Sequence, residues 1–135
     1  DNIVFRRVPA TMSAAWIPQA QAFYTAQVLG VLDKVHKPIF DEIQIKRHFL
    51  NSEQDFEQFF EGYGVSRKDF ENAWDSFAVH TRLKQSKVLA ERYRVLGVPT
   101  MIVAGKYSTG PQDVSGWPQL LQVVNFLADK ELKDK

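Results

Sequence analysis

Arg94-Val95-Leu96-Gly97-Val98-Pro99-Thr100-Met101-Ile102-Val103-Ala104-Gly105-Lys106-Tyr107 is the stretch whose reading decides the fold. A helix of mixed polar and apolar residues is expected to stop at Gly97, because glycine accepts the left-handed conformation that closes a helix and a following proline cannot continue it. Thr100 to Val103 then predicts a strand, Gly105 a turn, and Lys106 to Ser108 a second strand. Between helix and strand stands Val98-Pro99. An X-Pro amide prefers trans by only about 0.5–1 kcal/mol, so a cis bond is accessible here, while Gly-X-Pro by itself reads as an ordinary turn after a helix stop.

Outward from that stretch the chain is mostly helical. Asn2 to Val8 reads as a strand, with Ile3, Phe5 and Val8 apolar and Pro9 ending the run. Ala14 to Val31 predicts a helix carrying Trp16, Ala20, Phe23, Tyr24 and Val28 on one side, with Pro18 in its first turn. Asp33 opens the next, striped by Val35, Ile39, Phe40 and Ile43; Pro38 is expected to bend it or delay its start. Ser52 and Asp55 form a capping-box pair before Phe56, Phe59, Phe60 and Tyr63, and Gly62 and Gly64 close that helix. Ser66 and Asp69 repeat the signal before Phe70, Ala73, Trp74 and Phe77. A long helix is expected from Val79 to Leu96, with Val79, Leu83, Ser86, Ala90 and Tyr93 on one face. The last starts near Trp117-Pro118 and is expected to bury Leu120, Leu121, Val124 and Leu127. The order is strand, helices, strand, strand, helix.

Composition bounds the function. At 135 residues the chain is one ordinary domain or most of one, and ten Phe, four Tyr and three Trp suffice for a core. A formal net charge of +1 gives no bulk attraction for nucleic acid. No apolar run approaches the ~18 residues of a membrane span. No signal peptide is recognisable. The chain has no cysteine, which removes disulfides and thiolate metal sites from consideration.

The order of elements, together with Phe5-Arg6-Arg7-Val8-Pro9, Leu29-Gly30-Val31, Lys37-Pro38-Ile39-Phe40, Tyr63-Gly64-Val65-Ser66, Gly97-Val98-Pro99-Thr100 and Gly105-Lys106-Tyr107, resembles the C-terminal two-thirds of DsbA-type thiol:disulfide oxidoreductases. The resemblance implies an α/β, mostly helical fold: a partial thioredoxin-like domain (1–9 and 97–135) interrupted by an all-helical insertion (10–96) that includes the long connecting helix. It implies that Pro99 is the cis-proline beside the active-site dithiol. It also implies that the backbone of Val98 pairs with an extended substrate, so Val98 and Pro99 are the expected substrate-binding residues.

The departures are as pointed. The family's Cys-X-X-Cys segment has no counterpart here, so no catalytic residue is assigned. The strand expected in the middle of the sheet is missing with it, and an unpaired buried backbone group costs about 1–3 kcal/mol. The chain is therefore expected to be a fragment of a periplasmic enzyme that introduces disulfides into secreted proteins. The intact parent would act on unfolded secreted substrates and be reoxidised by a membrane quinone-linked partner. For the chain itself the open strand edges suggest pairing of the two flanking strands, a strand-swapped homo-oligomer, or local disorder near the N-terminus. Ala104 stands where the family often carries Asn, which tolerates left-handed turn positions better than Ala.

Other sites are poorly supported. His36, His48 and His80 are scattered without ligand spacing, so no metal is expected, and no cofactor is implied. The aromatic stripe at Phe56, Phe59, Phe60 and Tyr63 reads as core, and Trp16, Trp74 and Trp117 as packing residues. His80, Arg82, Lys84, Lys87, Arg92 and Arg94 read as a solvated basic face. Two alternatives stay open: a relative of kappa-class glutathione transferases and isomerases, which use Ser in place of the dithiol, and a non-catalytic thioredoxin-like binding or assembly module.

Overall fold

The computed structural model describes residues 2–135. Two compact units are present, one of Val8–Val88 and one that joins the chain's beginning through Arg7 to Leu89–Lys135.

In the helical unit a short 3-10 turn, Ala14–Trp16, leads into α1 (Ile17–Leu29), whose first turn holds Pro18, where a missing N–H costs nothing. Every residue from Ala22 to Ala26 is buried. That is the mark of a helix covered on most sides, and the small alanines let its neighbours approach closely. Gly30, at φ 73°, ends it. α2 (Leu32–Phe40) continues past Pro38 and widens directly into a π-helical turn, Asp41–Ile45, where the Lys46 N–H reaches back five residues to the Asp41 carbonyl at 3.0 Å. Pro38 thus neither delays nor ends the helix, and its missing donor is followed by a change of helical pitch. The far side of the widened turn is tied by Glu42, whose carboxylate accepts from Lys46 Nζ and pairs with His48 Nδ1, each at 2.9 Å. The His48 contact, before that of Lys46, holds the Glu42 carboxyl below its usual range.

α3 (Glu53–Glu61) begins with the predicted capping box: Ser52 Oγ accepts from the Asp55 N–H, and the Asp55 carboxylate accepts from the Ser52 N–H, both at 3.2 Å. Ser66 Oγ caps α4 (Arg67–Trp74) in the same way. Phe56, Phe60, Phe70 and Trp74 then meet in one core with Ala22, Ala26, Val35, Leu50 and Val65. The Phe60 and Phe70 rings pack edge to face at 5.1 Å. Phe23, Tyr24 and Val79 form a second cluster, in which the Tyr24 hydroxyl is hydrogen-bonded to Ser86 of α5 (Phe77–Arg92).

Three aromatic expectations are corrected. Phe77 is 86 % exposed, because it opens α5 and does not close the stripe of α4. Tyr63 lies past the end of α3 and is partly exposed. Of the three tryptophans only Trp74 is buried; Trp16 and Trp117 each sit at or before a helix start, at the edge of packing.

The expected strand at Asn2–Val8, most of which falls in the second unit, does not form. Ile3, Val4 and Phe5 are exposed, and the sheet among the described residues has two strands only. Alternating apolar residues favour a strand but cannot make one without a ladder partner. Those strands are β1 (Met101–Val103) and β2 (Tyr107–Thr109), antiparallel, with Ile102 opposite Ser108. Each begins one residue later than the sequence suggests. The turn between them is closed by the Lys106 N–H on the Val103 carbonyl at 3.0 Å, with Ala104 at φ 55° and Gly105 at φ 67°. α6 (Trp117–Lys133) follows a 3-10 turn at Pro111–Asp113. It is tied to the hairpin by Lys106 Nζ on Glu131 at 2.8 Å and by Lys130 over the Tyr107 ring. Leu120 is its buried residue; Leu121 is exposed rather than buried, since it lies off the line that faces the hairpin, and Val124 and Leu127 are half-buried.

Candidate functional site

α5 ends earlier than Gly97. Its last helical residue is Arg92, and Arg94 at φ 51° takes the left-handed position expected of a glycine. The Val95 N–H donates to the Ala90 carbonyl at 2.9 Å and the Arg94 N–H to that of Glu91 at 3.2 Å, so two terminal carbonyls are satisfied by a Schellman-type closure. Gly97 is thereby released from capping and belongs to the loop.

That loop is the candidate site. Val98–Pro99 is a cis peptide. Leu96 and Val98 are exposed, at 87 % and 52 %. Neither the N–H nor the C=O of Val98 has a hydrogen-bond partner among the described residues. The loop is closed on its far side by Thr100, whose hydroxyl donates to the Gly97 carbonyl at 2.7 Å.

Beside the loop lies a shallow cleft of about 320 Å³, lined by Pro99, Pro111, Val114, Trp117 and Leu120 with Ser115 and Gly116. No ionisable side chain lines it. Gly110 is buried next to it, where a Cβ would come within 3.5 Å of the Pro99 carbonyl oxygen and 3.1 Å of the Gln112 side chain. The Gly110 N–H donates to the Asp113 carboxylate at 2.9 Å, which fixes the turn that carries Pro111. The arrangement offers an extended polypeptide a free backbone donor and acceptor at Val98 and an uncharged, apolar trough next to it. Its lining holds no thiol and no acid–base pair, and the hydroxyl of Ser115 is engaged by Gln119 at 3.0 Å.

Of the two sequence-predicted residues, the structure brings Pro99 together with four that the sequence reading missed, Pro111, Val114, Trp117 and Leu120, while Val98 precedes it on the exposed loop. Trp117 was expected in the core. The available signal was its place at a helix start after Gly-Pro-Gln-Asp, a turn-forming run; its approach to Pro99 spans 18 positions and has no local signature. The histidines do not join the site. His48 is held by Glu42, His36 lies between the rings of Phe23 and Phe40, and His80 is exposed. Among the described residues no three His, Asp or Glu side chains are placed to hold a metal ion, and no helix is long and apolar enough to cross a membrane.

Comparison with known proteins agrees with this geometry. The profile of the DSBA-like thioredoxin domain matches residues 2–122. The thiol:disulfide interchange protein DsbA of Pseudomonas syringae pv. tomato is 40 % identical over 131 residues, covering 97 % of this chain and 61 % of its own length. That of Burkholderia cepacia is 37 % identical over all 135 residues, which span 63 % of its length. The crystal structure of Pseudomonas aeruginosa DsbA superimposes with a TM-score of 0.88 at 32 % identity, covering 95 % of this chain and 67 % of that one. The chain thus spans a little over three-fifths of the curated relatives it matches, as a mostly helical, partial thioredoxin-like fold without cysteine. It belongs to the family of DSBA-like thioredoxin domains.

Proposed function

We propose that these residues form the substrate-holding part of a thiol:disulfide interchange protein that introduces disulfides into secreted proteins, with Val98 and Pro99 as the substrate-binding residues. The observation that carries the reading is the unpaired backbone of Val98 beside an uncharged cleft. An extended chain can add its main-chain hydrogen bonds there and seat a side chain in the trough, which is β-strand addition. Unfolded substrates present such segments; folded ones do not.

The exchange chemistry needs a thiolate, and a low-pKa cysteine at a helix N-terminus is what makes a dithiol of this type a strong oxidant. No residue of this chain can form the mixed disulfide. Its part is to hold the substrate, and the electrons move through cysteines outside these 135 residues. The parent's setting is proposed to be the bacterial periplasm, where disulfides persist, with a membrane quinone-linked protein returning the dithiol to its oxidised form. The thioredoxin-like part is proposed as 1–9 with 97–135, and the helical insertion as 10–96. The open edge of β1 favours association of isolated chains through strand exchange.

The test is a titration of the chain with a short unstructured peptide in which Ser replaces a central Cys between apolar residues, followed by amide NMR. Expected are shifts at Gly97, Val98, Thr100 and the Trp117 indole, with the helical core unmoved. Saturable binding that leaves Val98 and Trp117 unshifted overturns the reading. The chain alone is expected to give no insulin reduction and no oxidation of a dithiol peptide.

A further inference from the structure

The loop that presents Val98 is held at both ends. Upstream, the Schellman-type closure at Arg94 and Val95 fixes the departure of the chain from α5. Downstream, the Thr100 hydroxyl donates to the Gly97 carbonyl at 2.7 Å, three residues back. Between them Leu96, Gly97 and Val98 have little else to hold them. Leu96 and Val98 are largely exposed, a Cβ on Gly97 would meet nothing within 4 Å, and the Val98 backbone is unpaired. Thr100 itself is half-buried at the entrance to β1, where its backbone leads directly into the ladder. Among the described residues a hydroxyl anchored to the sheet is therefore the one side-chain hydrogen bond on the segment that carries the free donor and acceptor.

We infer that Thr100 is a positioning residue for the Gly97–Pro99 loop: its hydroxyl, through the Gly97 carbonyl, holds the Val98 backbone in the orientation that accepts an extended polypeptide. The inference rests on the substrate-holding reading above and adds a residue that touches no substrate. An ordered loop loses less conformational freedom when a chain docks on it, so the tie acts on affinity. Valine keeps the shape of threonine without the hydroxyl; serine keeps the hydroxyl without the methyl.

The experiment compares wild type, Thr100→Val, Thr100→Ala and Thr100→Ser in two readouts. The first is the ¹⁵N order parameter of Val98 in the free chain. It is expected to fall from the rigid range near 0.85 to below about 0.6 in the Val and Ala variants and to stay high with Ser. The second is the Kd for the Ser-substituted peptide, expected to rise about fivefold with Val and Ala, the worth of one hydrogen bond, and to stay within twofold of wild type with Ser. The Ala variant serves if the Val variant fails to fold. An unchanged order parameter in the variants that lack the hydroxyl overturns the inference whatever the peptide does. Loosening of the loop with unchanged affinity overturns the link to binding. Loosening in a protein whose wild type binds no peptide sustains the clamp and overturns the substrate-holding reading instead.

Discussion

Among the described residues three that are not glycine adopt positive φ: Arg47, Arg94 and Ala104. Only Ala104 does so in a two-strand turn next to a glycine of the same handedness, and its Cβ crowds the following carbonyl there, at roughly 1–2 kcal/mol for an L-residue. Ala104→Asn or Ala104→Gly is therefore expected to raise stability by about 0.5–1 kcal/mol, read as a shift of the urea midpoint at constant m. Asp55 gives a second expectation at this scale. The Asn51 N–H first, then the Ser52 hydroxyl, hold its carboxyl below the usual range. A carboxylate whose folded value is depressed adds stability that is fully present above its unfolded value and is lost as pH falls through the folded one. The contribution should thus fade below about pH 4. Asp55→Asn should flatten the acid limb between pH 5 and pH 2 and leave the plateau near neutrality lower; an unchanged acid limb would count against the cap.

Helices are where the chain's elements were most readable in advance, and the reason is local. Ser-X-X-Asp at 52–55 and 66–69 names two helix starts; in both the serine hydroxyl caps the helix, and at 52–55 the aspartate returns the bond as well. The aromatic spacing at Phe56, Phe60, Phe70 and Trp74 names the faces that become the core. Phe60→Ala, at a site with no exposure and a ring partner at 5.1 Å, should cost about 3–5 kcal/mol and remove the cooperative transition of the helical unit. Helix ends were less readable, because Arg94 closes α5 in a conformation that its side chain does not advertise. The strand at Asn2–Val8 was misread because pairing is tertiary: its alternation is present and its partner is not. The site divides along the same line. Val98-Pro99 carries its meaning in two adjacent letters, whereas Trp117 and Val114 reach Pro99 only through the fold of the hairpin and α6.

At the scale of the molecule the two units differ in what holds them. Nearly all the buried apolar residues, from Ala20 to Val79, belong to the helical unit; the other buries Leu120, with Thr109 and Gly110 beside it. Local stability follows buried apolar contact. Hydrogen exchange with increasing urea is therefore expected to show β1, β2 and α6 opening first, while α1, α3 and α4 stay protected to a higher concentration; a single exchange isotherm for all amides would refute this. The division also has a consequence for the order of events on the ribosome. The helical unit is one uninterrupted run, Val8–Val88, and so is complete as soon as it has left the exit tunnel. The other unit is split, and residues 2–7 must wait until Leu89–Lys135 has been translated. During synthesis the nascent chain therefore passes through a stage in which the helices are already packed and the Pro99 loop does not yet exist, so the loop proposed to hold unfolded substrates is assembled after the helical unit, on a scaffold that no longer resembles one.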